Sequence, residues 1–383
     1  MNTVYLDNAA TSFPKPAGVS AAMCHYMDHV GATINRSVYG SARDAGLVTL
    51  ELRERLCALF NAPDPTHAIL TPGATAGLNM VLKGLLRPGD HCLVSSMEHN
   101  AVMRPLQQLA EQGVTFHRIP CDSEGRLSPA DIPPLLQKNT KLLVLCHGSN
   151  VCGTVQDARA VGAICKEYGI AFLLDGAQTA GHYPIDFEGF NLSALSVPGH
   201  KGLLGPSGIG ALFLSPDFAK KLTPLIAGGT GSASDSELLP TYMPDRFESG
   251  TPNLPGIYGL HTSVQFLLDT GVDALRNHEL ALTERFLAGL DGISGVTLVG
   301  TGDLSRRVGV VSLDFPGLDN GEAAFRLESE FFILTRCGLH CAPAAHKTLG
   351  TFPRGTVRFS FGFQNTEADV DCALSAIRQI TAV

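Results

Sequence analysis

Residues 157–178 read Asp157-Ala-Arg-Ala-Val-Gly-Ala-Ile-Cys-Lys-Glu-Tyr-Gly-Ile-Ala-Phe-Leu-Leu-Asp-Gly-Ala-Gln178. A helical segment, Asp157 to Tyr168, is followed after one glycine by the apolar run Ile170 to Asp175. Such a run, short and bounded by turn residues, predicts a strand buried on both faces. The runs His91–Ser95, Leu142–Cys146 and Ile209–Leu214 have the same character, and Thr75 to Leu86 predicts another helix. Strands alternating with helices imply an α/β protein with a mostly parallel sheet, whose ligands lie beyond the carboxyl ends of the strands. Beyond about residue 255 the pattern changes. Helices are predicted over Tyr258–Leu268 and Leu275–Leu290, followed by short strands. In Val357-Arg-Phe-Ser-Phe-Gly-Phe363 the apolar residues alternate, placing Val357, Phe359, Phe361 and Phe363 on one face and Arg358 on the other. A second, smaller α+β unit follows. The stretch Gly228 to Ser236, small and polar, reads as a mobile loop.

With 383 residues, 44% hydrophobic and 17% charged, the chain has an ordinary globular composition, long enough for two compact domains. Its net charge of −8 argues against nucleic acid or an anionic membrane as a main partner. The opening Met-Asn-Thr-Val-Tyr-Leu-Asp carries no basic stretch followed by an apolar core. Ten cysteines are scattered without a paired framework and without Cys-x-x-Cys, the pattern of reduced thiols in the cytosol. A cytoplasmic protein is the expectation.

Lys201 is one of only nine lysines, set in Ser196-Val-Pro-Gly-His-Lys-Gly-Leu-Leu-Gly-Pro-Ser-Gly-Ile-Gly210. Glycines let backbone or ligand approach the amine, and the apolar run that follows can bury it. A desolvated amine loses basicity and becomes a nucleophile toward carbonyls. Taken alone, the segment reads equally as a surface turn with its lysine in water. Asp175 closes an apolar strand, where a carboxylate can pair with a protonated ring nitrogen or simply cap a helix. Thr71-Pro-Gly-Ala-Thr75 leads into a helix whose free N–H groups suit an anion, unless Thr75 merely caps it. His99, just after another strand, fits a ring-stacking or proton-shuttling role and a satisfied core histidine alike. Cys341 sits beside His340 with Arg336 and Lys347 near in sequence, surroundings that favour thiolate. The alternatives are an inert thiol and a zinc site built from Cys337, His340, Cys341 and His346, whose spacing matches no common zinc pattern.

Together these segments resemble the cysteine desulfurase/selenocysteine lyase family, within the class V aminotransferases of the fold-type I pyridoxal-phosphate enzymes. The likeness runs nearly end to end: Tyr5–Thr11, Gly73–Thr75, Met97-Glu-His99, Asn150, Asp175-Gly-Ala-Gln178, Gly199-His-Lys201, Phe247–Asn253, Gly338-Leu-His-Cys341, and Arg358 ahead of Asn365-Thr366. The short setting of Cys341 is similar to the family's second group. The resemblance implies that Lys201 forms a Schiff base with pyridoxal 5'-phosphate and later carries a proton. It further implies that Asp175 holds the pyridinium nitrogen, Gln178 the ring hydroxyl, and that His99 stacks on the ring. Ala74, Thr75 and His200 would hold the phosphate, with Thr251 reaching it from the other subunit of a homodimer. Asn150 and Arg358 would bind the substrate carboxylate. Cys341 would take sulfur from L-cysteine as a persulfide, release alanine, and pass the sulfur to an acceptor protein. Selenocysteine lyase, or an aminotransferase or epimerase on the same scaffold, is the alternative.

On this reading the large domain takes residues 15–254 and the small one residues 1–14 and 255–383. Pro198 stands where many relatives carry Ser or Thr, so one phosphate contact fewer is expected. Cys337, four residues before Cys341, is a candidate to resolve the persulfide or to pair with Cys341.

Overall fold

The computed structural model describes residues 3–35 and 39–382; Met1 and Asn2, part of the opening stretch searched for a leader, lie outside them. The chain begins with strand β1 (Val4–Tyr5) and helices α1 (Val19–His25) and α2 (Gly40–Phe60). It then lays down the main sheet from β2 (Ala68–Thr71), β3 (His91–Ser95), β4 (Thr115–Ile119), β5 (Thr140–Cys146), β6 (Ala171–Asp175), β7 (Ala194–Pro198) and β8 (Gly210–Leu214). Helices α3 (Ala74–Leu85), α4 (Asn100–Ala110), α5 (Ala158–Glu167) and α6 (Pro216–Ala219) connect or follow these strands.

The order across the sheet is β2-β8-β7-β6-β5-β3-β4, with β8 antiparallel to both of its neighbours and the other pairings parallel. Every residue of β3, β7 and β8 is buried, as a sheet covered on both faces requires. The expected strands at His91, Leu142, Ile170 and Ile209 are therefore present within a residue or two. β2, β4 and β7 are additional to the expected strands; Pro198 and Gly199 close β7 and merge its end with the glycine-rich segment.

Helix α7 (Leu254–Thr270) and helix α8 (Val272–Leu290) are divided at Gly271, whose φ of 86° favours glycine. α7 buries Leu254, Ile257, Leu260 and Val264 in the same apolar cluster as Phe172 and Leu195 of the main sheet. α8 has Leu275 in that cluster, while its Leu282 and Phe286 belong to a second one. We accordingly propose that the boundary between the two units lies along α8 rather than at residue 254.

The second unit is an antiparallel sheet in the order β12-β13-β10-β9, built from β9 (Thr297–Val299), β10 (Val310–Asp314), β12 (Arg336–Gly338) and β13 (Thr356–Ser360). Strand β11 (Ile333–Leu334) pairs in parallel with β1 and so ties the N-terminal residues to this end of the molecule. Helices α9 (Asn320–Phe331), α10 (Pro343–Thr348) and α11 (Glu367–Thr381) complete the chain. Val357, Phe359 and Phe361 pack with Phe286 and Val370 of the covering helices, and Arg358 points the other way, as the alternation requires. Phe363 departs from the expected face. The strand ends at Ser360, the Asn365 side chain accepts from Gly362 N–H (2.9 Å), and Phe363 stacks on Phe266 instead (5.5 Å between ring centres).

Candidate active site at the strand ends

The carboxyl ends of β5, β6 and β7 lie abreast, with Cys146 opposite Asp175 and Asp175 opposite Ser196. A cavity of about 680 Å³ opens above them, lined among others by Thr75, His99, Asp175, Gln178, His200 and Lys201. Most of the candidates taken from the sequence therefore converge, although Thr75 and Lys201 lie 126 residues apart in the chain.

Lys201 follows β7 by three residues, and its backbone is clamped. The His200 carbonyl accepts from Ser12 N–H (3.0 Å), Thr11 Oγ1 (3.1 Å) and Lys15 Nζ (3.0 Å). Gly199 N–H donates to Ile209 (2.8 Å), and a Cβ on Gly202 would collide with the Ala180 carbonyl. The glycines here make close approach possible rather than a loose turn, so the reading of a lysine in water falls away. Burial lowers the Lys201 pKa to about 8, against the opposing pull of Asp175 and with the help of Arg358.

Asp175 is buried and its pKa is raised by that burial, while the Ala177 N–H (3.0 Å) and Lys201 favour the charged form. No helix starts after it, so its carboxylate caps only a local turn while facing the cavity. A cationic ring nitrogen would supply the charge that this buried carboxylate otherwise lacks.

At the other end, α3 begins at Ala74 with Gly73 as its N-cap and no capping side chain. Thr75 is inside the helix, so it does not cap it. The first N–H groups stay without intrahelical partners and form an anion cradle at the positive end of the helix. His200 Nδ1 is buried with no partner, and the imidazole, its pKa lowered to about 4 by burial and then by Lys201 and Lys15, is neutral. Pro198 lines the cavity without a hydroxyl, as expected. Ser207, which the sequence reading passed over, lines it too and brings one.

His99 is the N-cap of α4, its Nδ1 accepting from Ala101 N–H (3.0 Å), which leaves the proton on Nε2. Burial, then Lys201, lowers its pKa to about 4. Gln178 donates to the Ala9 carbonyl (3.0 Å). Asn150 donates to the His340 carbonyl (2.7 Å), and its own Oδ1 is buried without a partner.

Arg358 differs from expectation. Its side chain is 1% exposed, it does not line the cavity, and it is tied to Asp7 Oδ1 (2.6 Å) and the Asn150 carbonyl (3.0 Å). A buried guanidinium requires a counter-ion, and the N-terminal segment provides it. Arg336, the register partner of Arg358 on β12, forms no ion pair among the described residues. Its Nη2 is 3.6 Å from Cys341 Sγ.

Cys341 is exposed on a bend in which His340 (φ 48°) and Cys341 (φ 58°) are both left-handed, a strained pairing for residues with side chains. The bend is held on both sides, by Asn150 on the His340 carbonyl and by Asn100 N–H on the Cys341 carbonyl (2.8 Å). Since Asn150 lines the cavity and Asn100 adjoins His99, Cys341 stands at its rim. Lys347 makes no hydrogen bond to it among the described residues; its Nζ lies 4.9 Å above the Phe352 ring. Cys337 lies one strand position from Arg336 and so faces the other way, near Asp319, with its pKa raised by burial. That orientation removes the geometric basis for a resolving role. His340 and His346 each hydrogen-bond a threonine (Thr356, 3.0 Å; Thr351, 2.7 Å), and no three potential metal ligands gather among the described residues.

Two buried groups escaped the sequence reading. Cys146 lines the cavity with its thiol on the Gly148 carbonyl (3.1 Å). Glu98, fully buried, accepts from Ser95 Oγ (2.6 Å) and Cys146 N–H (2.8 Å), locking the end of β3 to that of β5. Burial pushes its pKa up to about 8. Thr251 is exposed and lines a separate cavity of about 240 Å³, which shares Pro72 and Gly208 with the main one. Within one chain it does not meet Lys201.

Residues 4–372 match the family described as Aminotransferase class-V. A probable cysteine desulfurase of Methanothermobacter thermautotrophicus is 32% identical, over 99% of this chain and 95% of its own length. A probable cysteine desulfurase of Pyrococcus abyssi is 34% identical over 98% and 94%. The apo structure of a cysteine desulfurase from Thermococcus onnurineus NA1 superimposes with a TM-score of 0.93 at 32% identity, covering 99% of this chain and 95% of that one. The fold is the fold-type I class expected from the sequence. Buried carboxylate, low-pKa lysine, unpartnered histidine nitrogen and uncapped helix each fit a part of pyridoxal phosphate. The chain belongs to the class-V aminotransferase family, whose chemistry depends on that cofactor.

Proposed function

We propose that the protein is a cysteine desulfurase, converting L-cysteine to L-alanine and leaving the sulfur as a persulfide on Cys341. The observation that carries this beyond the family is Cys341 itself: an exposed thiol on a pinned, strained bend at the rim of the cavity, beside an unpaired guanidinium. Transamination has no use for such a thiol.

Bound in the cavity, pyridoxal phosphate supplies an electron sink for the pair released when a proton leaves the substrate Cα. Asp175 keeps a ring N–H in place with its charge. The α3 N-terminus, His200 and Ser207 hold phosphate oxygens. Lys201, with a pKa of about 8, has enough neutral amine near neutral pH to attach to a carbonyl, and to take and return the Cα proton. His99 stays uncharged and adds no second cation next to the lysine. Arg336, its Nη2 3.6 Å from Sγ, sets a positive charge beside the Cys341 sulfur, where it steadies negative charge on that atom. The thiolate attacks the substrate sulfur: the new S–S bond forms, the substrate C–S bond breaks, and its electron pair remains with the substrate carbon. Protonation of that carbon completes alanine, so the substrate's own C–S bond is reduced and no outside oxidant is needed.

Thr251 faces outward beside the phosphate end, which supports a homodimer in which each chain completes its partner's site. The absence of any helix long and apolar enough to cross a membrane, among the described residues, is compatible with the cytoplasmic location. The test is alanine and sulfide release from L-cysteine by wild type, Lys201→Ala and Cys341→Ala. Full sulfide release by Cys341→Ala would end the desulfurase assignment and leave the cofactor assignment standing.

A further inference from the structure

Outside the cavity, on the far side of the Cys341 bend, a groove of about 640 Å³ runs between α4 and α10 toward the edge strand β4. Its walls carry Arg104 from α4, Arg118 from β4 and Lys347 from α10, and no carboxylate lines it. All three cations are exposed, and none has an ion pair among the described residues. Arg118 lies over the Phe116 ring (5.4 Å) and Lys347 over Phe352 (4.9 Å). In a chain of net charge −8 this is an uncompensated positive channel. Met103 and Pro343 give it an apolar floor. It is also braced, because Thr348 Oγ1 donates to Ser96 Oγ (3.0 Å) and fastens α10 to the segment that leads into α4.

The groove and the cavity share a wall. Asn100 lines the groove and holds the Cys341 carbonyl, while its neighbour His99 lines the cavity. A chain lying in the groove would thus end beside an exposed sulfur. We propose that this groove is the docking channel for an acidic segment of the protein that takes sulfur from Cys341. The proposal rests on the desulfurase reading. A segment with Asp or Glu side chains would meet the three cations and set its own cysteine against the persulfide. The acceptor thiolate then attacks the outer sulfur, the S–S bond breaks, and Cys341 leaves as thiolate; one persulfide is consumed and one formed.

The experiment uses holoenzyme and three labelled peptides with a single cysteine: one rich in Asp and Glu, its Asn/Gln counterpart, and a Lys-rich counterpart. Binding is followed by fluorescence anisotropy with the cysteine replaced by serine, and sulfur transfer with the cysteine present. Arg118→Glu combined with Lys347→Glu is the variant, since neither residue touches the cavity. The expected result is that the acidic peptide binds about tenfold tighter than the neutral one. That preference should weaken with salt and invert in the variant toward the Lys-rich peptide. The KM for transfer should move with it, while alanine formation with a small thiol reductant stays at the wild-type rate. Equal binding of the three peptides, or an acidic preference that survives in the variant, would overturn the proposal. A wild type that forms no alanine would bear on the desulfurase reading alone, and the anisotropy would still decide the groove.

Discussion

The floor and the rim of the cavity are built by opposite means. The floor consists of strand ends from one parallel sheet, with Asp175 abreast of Cys146 and Ser196 and the Lys201 backbone clamped by four neighbouring residues or glycines. Asp175, Cys146 and Ser196 are all buried there, and in the Lys201 segment the left-handed residues are Leu204 and Gly208. The rim belongs to the second unit, and its key residue, exposed, is the second of two consecutive left-handed residues whose carbonyls are held by Asn150 and Asn100. The difference follows from their tasks. A group that must keep a depressed pKa needs burial and rigidity. On the proposed reading Cys341 meets first a substrate and then an outside acceptor, which needs access from both sides.

The comparison predicts how each region fails. Lys201→Ala removes the floor's nucleophile and proton carrier, and alanine formation should fall by about 10³-fold or more. The visible absorbance of the lysine-linked cofactor should vanish with it; unchanged colour would break the assignment of the floor. Cys341→Ala should lose about 10²-fold in sulfide release yet keep that absorbance, because the rim adds nothing to cofactor attachment. If both were lost together, floor and rim would not be separable.

The pH response sharpens the contrast. The lysine is unreactive while protonated, so below a pKa of about 8 the rate at which apoprotein captures pyridoxal phosphate should rise with pH. The rise should approach about tenfold per unit and level off above that pKa. His99 and His200, with pKa values of about 4, should add no inflection between pH 5 and 8. An inflection near 6.5 in the capture rate would show one of them charged. The smallest effect is expected where the two regions meet. Asp7→Asn takes the carboxylate from Arg358, and the substrate carboxylate then becomes its counter-ion, so KM for L-cysteine should fall severalfold with kcat little changed. A raised KM would show instead that Asp7 positions Arg358 for the substrate.

The apolar runs 91–95, 142–146 and 170–175 were readable because strands covered on both faces have no polar positions to disguise them. β4, exposed along most of its length, and β7, closed by a proline, lacked that signal. The alternation at Val357–Phe361 set Arg358 on the face opposite the phenylalanines, but could not show that Asp7 reaches it from the opposite end of the chain. Glu98 was invisible as a functional part because its role depends on a backbone N–H of Cys146 and on complete burial. Ser207 was passed over for the same kind of reason, since a serine in a glycine-rich turn has no local mark of lining a cavity.

The sequence by itself determined the fold class and the cofactor family, and singled out Lys201, Asp175 and Cys341 as candidates, because these depend on short-range pattern and on residue type. The tertiary structure alone decided which cation faces the Cys341 thiol and which way Cys337 points. It also decided that a positive groove shares Asn100 with the Cys341 bend. Those outcomes are set by strand register and by contacts between residues hundreds of positions apart, which fix distance and burial and leave no trace in local order.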